Sequence, residues 1–136
     1  MLRFHGSFSG YEPNHFFLNR GATKTFLEVG SALGLAQTTD GRATAPIDLD
    51  GDGALDLAVQ SLQDLKVFRN QIRTSYGFLQ LTVRDRRGRP AIGAEVRVVT
   101  DAGRLIDRVR VAAGFHTQLS PRLHFGLGQA TTVKSV

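Results

Sequence analysis

Apolar and polar residues alternate along the second half of the chain with the two-residue period of half-buried strands. Leu79, Leu81 and Val83 interleave with Gln80, Thr82 and Arg84, and DRRGRP then turns the chain. Ala94, Val96 and Val98 lie opposite Glu95 and Arg97; after a turn at Asp101 to Gly103, Leu105, Val109 and Val111 share a face over 105–111. These short connections predict three antiparallel strands. A fourth pairing is predicted where Leu123, Phe125 and Leu127 alternate with His124, Gly126 and Gly128, after the turn at Ser120 and Pro121. Such a sheet has one dry face and must bury it against another layer.

The first half is less regular. NHFFLNR, residues 14–20, reads as an edge-like strand followed by the polar turn GATK. In FLEVGSALGL, residues 26–35, Val29, Ala32 and Leu33 stand at helical offsets, but Gly30 and Gly34 limit any helix to one or two turns. Small apolar runs at 45–47 and 57–60 flank an aspartate-rich stretch and predict strand, tight loop, strand. LKVFR, residues 65–69, predicts a further strand with Leu65, Val67 and Arg69 on one face and Lys66 and Phe68 on the other. FFLNR at 16–20 and KVFRN at 66–70 echo each other, 51 residues apart when Asn19 is set against Asn70, each ahead of a change from strand to turn, as blade-like repeats would.

Composition narrows the function classes. The 136 residues allow one domain or two very small ones, and 41% apolar against 21% charged residues suffices for a core. Fifteen glycines and four prolines favour turns over long helices. No apolar run approaches the roughly 20 residues of a membrane-spanning helix. The start as given, MLRFHGSFSGYEPNHFF, lacks the apolar stretch of a secretory signal. With no cysteine, disulfides, thiolate nucleophiles and thiolate metal sites are excluded. His5, His15, His116 and His124 never fall at the i, i+4 spacing of a helical zinc motif and read as turn or half-buried residues. Net charge is +5, but residues 40–64 hold six aspartates against one arginine, whereas residues 65–136 hold thirteen bases against four acids. This change of character near 65–75 suggests two structural units.

The one stretch with site chemistry is DLDGDGALD, residues 48–56. Asp48, Asp50, Asp52 and Asp56 occupy loop positions 1, 3, 5 and 9, a spacing that converges oxygen donors on one hard cation. Gly53 stands at position 6, where a calcium loop turns sharply; Gly51 permits close approach of the carboxylates, and the Ala54 carbonyl at position 7 supplies a further oxygen. Leu55 at position 8 is expected to face inward and tie the loop to the core. Position 12 is Val59 rather than the bidentate glutamate of a helix-loop-helix calcium site, and the flanks API and LAV read as strands, so the loop belongs on a β-hairpin. Clustered carboxylates repel one another without a counter-ion. A dense oxygen cage suits Ca2+ better than Mg2+, which dehydrates reluctantly. The expected role is structural, since nothing nearby reads as a base or nucleophile.

NHFFLNR, FLEVGSALGL, APIDLDGDGALDLAV and LKVFRNQ together resemble an FG-GAP/VCBS repeat, the blade unit of integrin-α-like β-propellers, over residues 14–71. The resemblance implies calcium coordination by Asp48, Asp50, Asp52 and Asp56, with Ala54 through its carbonyl. Where such repeats carry a second glycine-aspartate-glycine turn, this chain has Gly21-Ala22-Thr23-Lys24. AIGAEVRV at 91–98, the glycine turn at 114 and SPRLHFGLG at 120–128, followed by Ala130 and Thr131, resemble the ASPIC/UnbV domain over residues 78–136. That domain commonly follows such repeats in secreted or surface proteins and ends in a further strand, which here is cut short or begun at 131–136.

The expected fold is therefore mainly β: one β-propeller-like blade with a calcium loop, plus a small antiparallel β-sheet or sandwich-like domain. Its parts would be an N-terminal flexible segment at 1–13, the blade at 14–71, a linker at 72–77 and the second unit at 78–136. A single blade cannot close a propeller, so the chain reads as a fragment, a docked remnant or a unit that assembles with partners, and its bare apolar faces favour self-association. The function expected is a non-enzymatic, calcium-stabilised interaction or adhesion module with a protein or surface-glycan partner, placed at the cell surface, outside the cell or in the periplasm. Polyanion or nucleic-acid binding through Arg84, Arg86, Arg87 and Arg89 is the alternative, though no recognition helix or aromatic strip accompanies them. Catalysis is not expected: Ser7, Ser9, His5 and His15 lack an orienting carboxylate, and GRLIDRV at 103–109 has no phosphate-cradling glycine pattern.

Overall fold

The computed structural model describes residues 10–72, 75–112 and 114–136. Among the described residues, ten short strands form small antiparallel sheets. Among the described residues no helix is long and apolar enough to cross a membrane. The flexible start expected over 1–13 falls largely outside this range, as do His5, Ser7 and Ser9.

In the first half, β1 (Phe17–Asn19) pairs with β2 (Phe26–Glu28). A 3-10 turn at Gly21–Thr23 joins them and ends on Lys24 in the left-handed region. The stretch at 26–35, expected to hold no more than one or two helical turns, thus begins as strand. What survives is one turn: the Leu33 N–H donates to the Val29 carbonyl at 3.0 Å, at the offset that the apolar spacing indicated. β3 (Gly41–Ile47), β4 (Asp56–Ser61) and β5 (Leu65–Phe68) form a meander in which Ile47 faces Asp56 and Leu57 faces Phe68. The β4–β5 turn closes on Ser61, whose hydroxyl donates to Asp64 Oδ1 at 2.7 Å while accepting the amides of Gln63 and Asp64.

The core lies in the second half. Val96, Val98, Val109, Leu123 and Phe125 are buried together, with Leu79, Leu81, Val83, Ala94, Leu105 and Leu127 packed against them. These residues come from β6 (Gly77–Leu81), β7 (Glu95–Thr100), β8 (Arg104–Arg108) and β9 (Leu123–Gly128), or from their flanks. The strands exist where alternation predicts them, but their pairing differs. In place of one continuous sheet, β6 pairs with β9, and β7 lies between β8 and β10 (Val133–Ser135). The expected β6–β7 hairpin shrinks to a single bridge between Arg84 and Pro90. Pro90 has no N–H to extend that ladder, and the turns at Ala91–Ala94 carry the chain into the other sheet. The two apolar faces thereby cover each other, as sheet packing requires. Val111 does not share the face of Leu105 and Val109, because β8 ends at Arg108 and Val111 lies exposed beyond it.

Candidate functional site

The aspartate loop joins β3 to β4, at the end of the hairpin where Ile47 faces Asp56. Its curl is built from side-chain oxygens that accept nearby amides, the habit of aspartate in turns. Asp48 Oδ1 accepts from Gly51 N–H at 2.9 Å and Oδ2 from Gly53 N–H at 3.2 Å. Asp50 Oδ1 accepts from Asp52 N–H at 3.4 Å, and Asp52 Oδ1 from Ala54 N–H at 2.8 Å. Gly51 and Gly53 have φ of +76° and +87°, values that favour glycine.

Carboxylate oxygens of Asp48, Asp50 and Asp52 lie within 4.8 Å of one another. Two oxygens bound to one Ca2+ at about 2.3–2.6 Å are at most about 5 Å apart, so this donor set can coordinate a single divalent cation. Asp50 and Asp52 are exposed and Asp48 is half-buried, which leaves the cluster open to solvent. Asp56 does not join this group. It is buried, its Oδ1 accepting from Asn70 N–H at 2.7 Å and its Oδ2 from Leu49 N–H at 3.3 Å, and so pins the two ends of the loop to the segment just after β5. Ala54 is half-buried, its N–H held by Asp52. Leu55, expected to face inward, is 39% exposed, and the tie to the segment after β5 is made by the Asp56 carboxylate instead.

Three partners of the loop escape sequence reasoning. Arg69 Nη2 is ion-paired with Asp50 Oδ2, placing positive charge on the cluster. The register supplies the reason: Phe68 pairs with Leu57, so the next residue falls level with Asp56 at the loop's exit. The Asn70 side chain likewise reaches the Leu55 carbonyl at 3.3 Å. Gln80, from β6, donates to Asp48 Oδ2 at 2.9 Å across 32 residues of sequence. Only Arg69, through the strand predicted at 65–69, and Asn70, through the KVFRN string at 66–70, carried any prior signal.

The arginines of the DRRGRP turn are partly engaged within it. Arg89 Nε and Nη2 clasp Asp85 Oδ2 at 3.0 and 2.8 Å, and Arg84 Nη1 reaches the Gly88 carbonyl at 2.7 Å. That clasp holds the Asp85 carboxyl below its ordinary pKa. His15 has a carboxylate neighbour that the sequence did not indicate, with Nδ1 3.8 Å from Glu28 Oε1. His116 adopts a φ of +52° and stacks on Phe115, as a turn residue does.

The segment from Arg84 onward holds β7 to β10 and most of the core. Residues 84–136 match the family described as ASPIC and UnbV. The ASPIC/UnbV match includes the AIGAEVRV and LHFGLG strings and begins after β6, although β6 completes the sheet of β9 and contributes Leu79 and Leu81 to the core. The strand anticipated at 131–136 is present as β10. No curated protein and no solved structure matches the chain.

Proposed function

We propose that this chain is a non-enzymatic, calcium-stabilised interaction module, in which an FG-GAP/VCBS-like blade at 14–71 precedes an ASPIC/UnbV-like β unit at 78–136, with 72–77 as linker. The convergence of the Asp48, Asp50 and Asp52 oxygens within 4.8 Å on a hairpin loop carries the reading. In it, Asp48, Asp50, Asp52 and the Ala54 carbonyl hold Ca2+, and Asp56 either supplies a further ligand or fixes the loop around it. A three-stranded meander with the loop between its first two strands suits a single blade. Exposed Phe17, Phe26, Leu65 and Val67 on the first half provide apolar surface for a protein partner or a second copy. An affinity of about 0.1–1 mM, typical of extracellular modules, would suit a site outside the cell or in the periplasm. The internal bonds of Arg84 and Arg89 give the polyanion reading no added support.

Calorimetric titration with Ca2+ of the wild-type chain and of Asp50→Ala tests the proposal. The wild type is expected to bind one ion and the variant to lose most of the heat; equal heats reject the site. At such an affinity, 10 mM Ca2+ should stabilise the fold by about 1.4–2.7 kcal/mol over excess chelator.

A further inference from the structure

The outer face of the β6–β9 pair meets the aspartate loop. Leu79 and Leu81 turn into the core, so the alternate residues Phe78 and Gln80 point the other way. The Phe78 ring lies against Gly53 so closely that a Cβ there would fall inside it, and the same ring stacks on His124 with centroids 5.6 Å apart and planes at 9°. Gln80 is held at both ends of its amide: Nε2 donates to Asp48 Oδ2 at 2.9 Å, and Oε1 accepts from Arg122 Nη1 at 3.1 Å. Reversing the amide would set oxygen against carboxylate and amine against guanidinium, so the network selects one orientation.

We infer that the loop is a joint as well as a cation site: Gln80 is a positioning residue for Asp48, and cation binding and the seating of the loop on the β6–β9 pair strengthen each other. This rests on the calcium reading above. An ionised carboxylate offers about four lone-pair directions. Asp48 uses three, for Gly51, Gly53 and Gln80, which fixes its plane and leaves one free for a metal. A second-sphere partner of this kind commonly changes metal affinity by about 10- to 100-fold. Because the donor comes from a strand 32 residues away, the energy that orients Asp48 is drawn from the seam, and linkage makes the effect reciprocal.

The test uses the full chain, with Ca2+ alone as ligand. Gln80→Leu is expected to bind about tenfold more weakly than wild type by calorimetry while keeping its circular dichroism. Gln80→Glu, which places a further carboxylate beside Asp48, should melt lower than wild type in chelator yet gain more from Ca2+, a reversal that a purely structural glutamine would not produce. As the chain has no tryptophan, Phe78→Trp supplies a reporter at the seam whose emission should shift on Ca2+ addition. If the wild type binds Ca2+ but Gln80→Leu binds equally and the emission of Phe78→Trp stays unchanged, the joint is overturned and the cation site stands. Equal losses of binding in Gln80→Leu and Gln80→Glu, with no added gain from Ca2+ in the latter, also overturn it. No binding by the wild type removes both readings.

Discussion

At Gly53 the backbone and a distant side chain impose separate demands. Its φ of +87° disfavours any L side chain, and the Phe78 ring occupies the space that a Cβ would need. At Gly51 only the first demand applies, since φ is +76° and no atom lies within 4 Å of an added Cβ. Denaturant unfolding should therefore show Gly51→Ala losing about 1–2 kcal/mol and Gly53→Ala about 2–4 kcal/mol, the excess reflecting overpacking against the ring. Phe78→Ala in the Gly53→Ala background should return most of that excess; equal losses at the two glycines would show that the ring yields freely. The need for glycine at position 6 of the loop was legible, because a sharp turn is a local matter. Its second reason was not, since Phe78 is far away in sequence.

Among the elements, β10 illustrates how a short, exposed strand is held. It pairs with β7 at Val133 and Ser135 only, with a shift of register between them. Asp101, in the β7–β8 turn, supplies the anchor: its carboxylate accepts the Thr131 hydroxyl at 2.7 Å and the amides of Thr131 and Thr132. The Thr131 hydroxyl and these amides lower the Asp101 pKa below its ordinary 3.8. A carboxyl depressed in the folded state stabilises the fold fully above the unfolded value and loses that contribution as pH falls through the folded one. The melting temperature of the wild type should thus exceed that of Asp101→Asn at neutral pH, with the gap narrowing only as pH drops below about 3.8. A gap of constant size down to pH 2 would disprove the anchor. Glu28, held chiefly by the Gly30 amide, Asp85 by the Arg89 side chain and Glu95 by the Arg97 side chain shift in the same direction, so only the difference from the variant isolates Asp101. A strand begun at 131–136 was one of two alternatives that the ASPIC/UnbV resemblance left open; its anchor could not be foreseen, because Asp101 and Thr131 meet only after β7, β8 and β9 are placed.

Across the whole molecule the apolar residues are unequally used. The second half has a shared core, whereas in the first half Val59 is the buried hydrophobic residue among those described, and Leu65 and Phe26 are 62% and 67% exposed. Sedimentation equilibrium should accordingly show a mass rising above 14.8 kDa with concentration, and Leu65→Ser combined with Val67→Ser should suppress the rise. A concentration-independent monomer in the wild type would contradict this. Alternation alone located nearly all strands of the second half, and the carboxylate spacing alone located the loop, because side-chain period and turn chemistry are set by neighbours in the chain. Which strands pair, which carboxylates converge and which is used as a clasp were decided by tertiary structure. Leu79 and Val96 had to cover each other from opposite sheets, Asp56 was drawn toward the Asn70 amide by the β4–β5 register, and Gln80 reached Asp48 only once both sheets had formed.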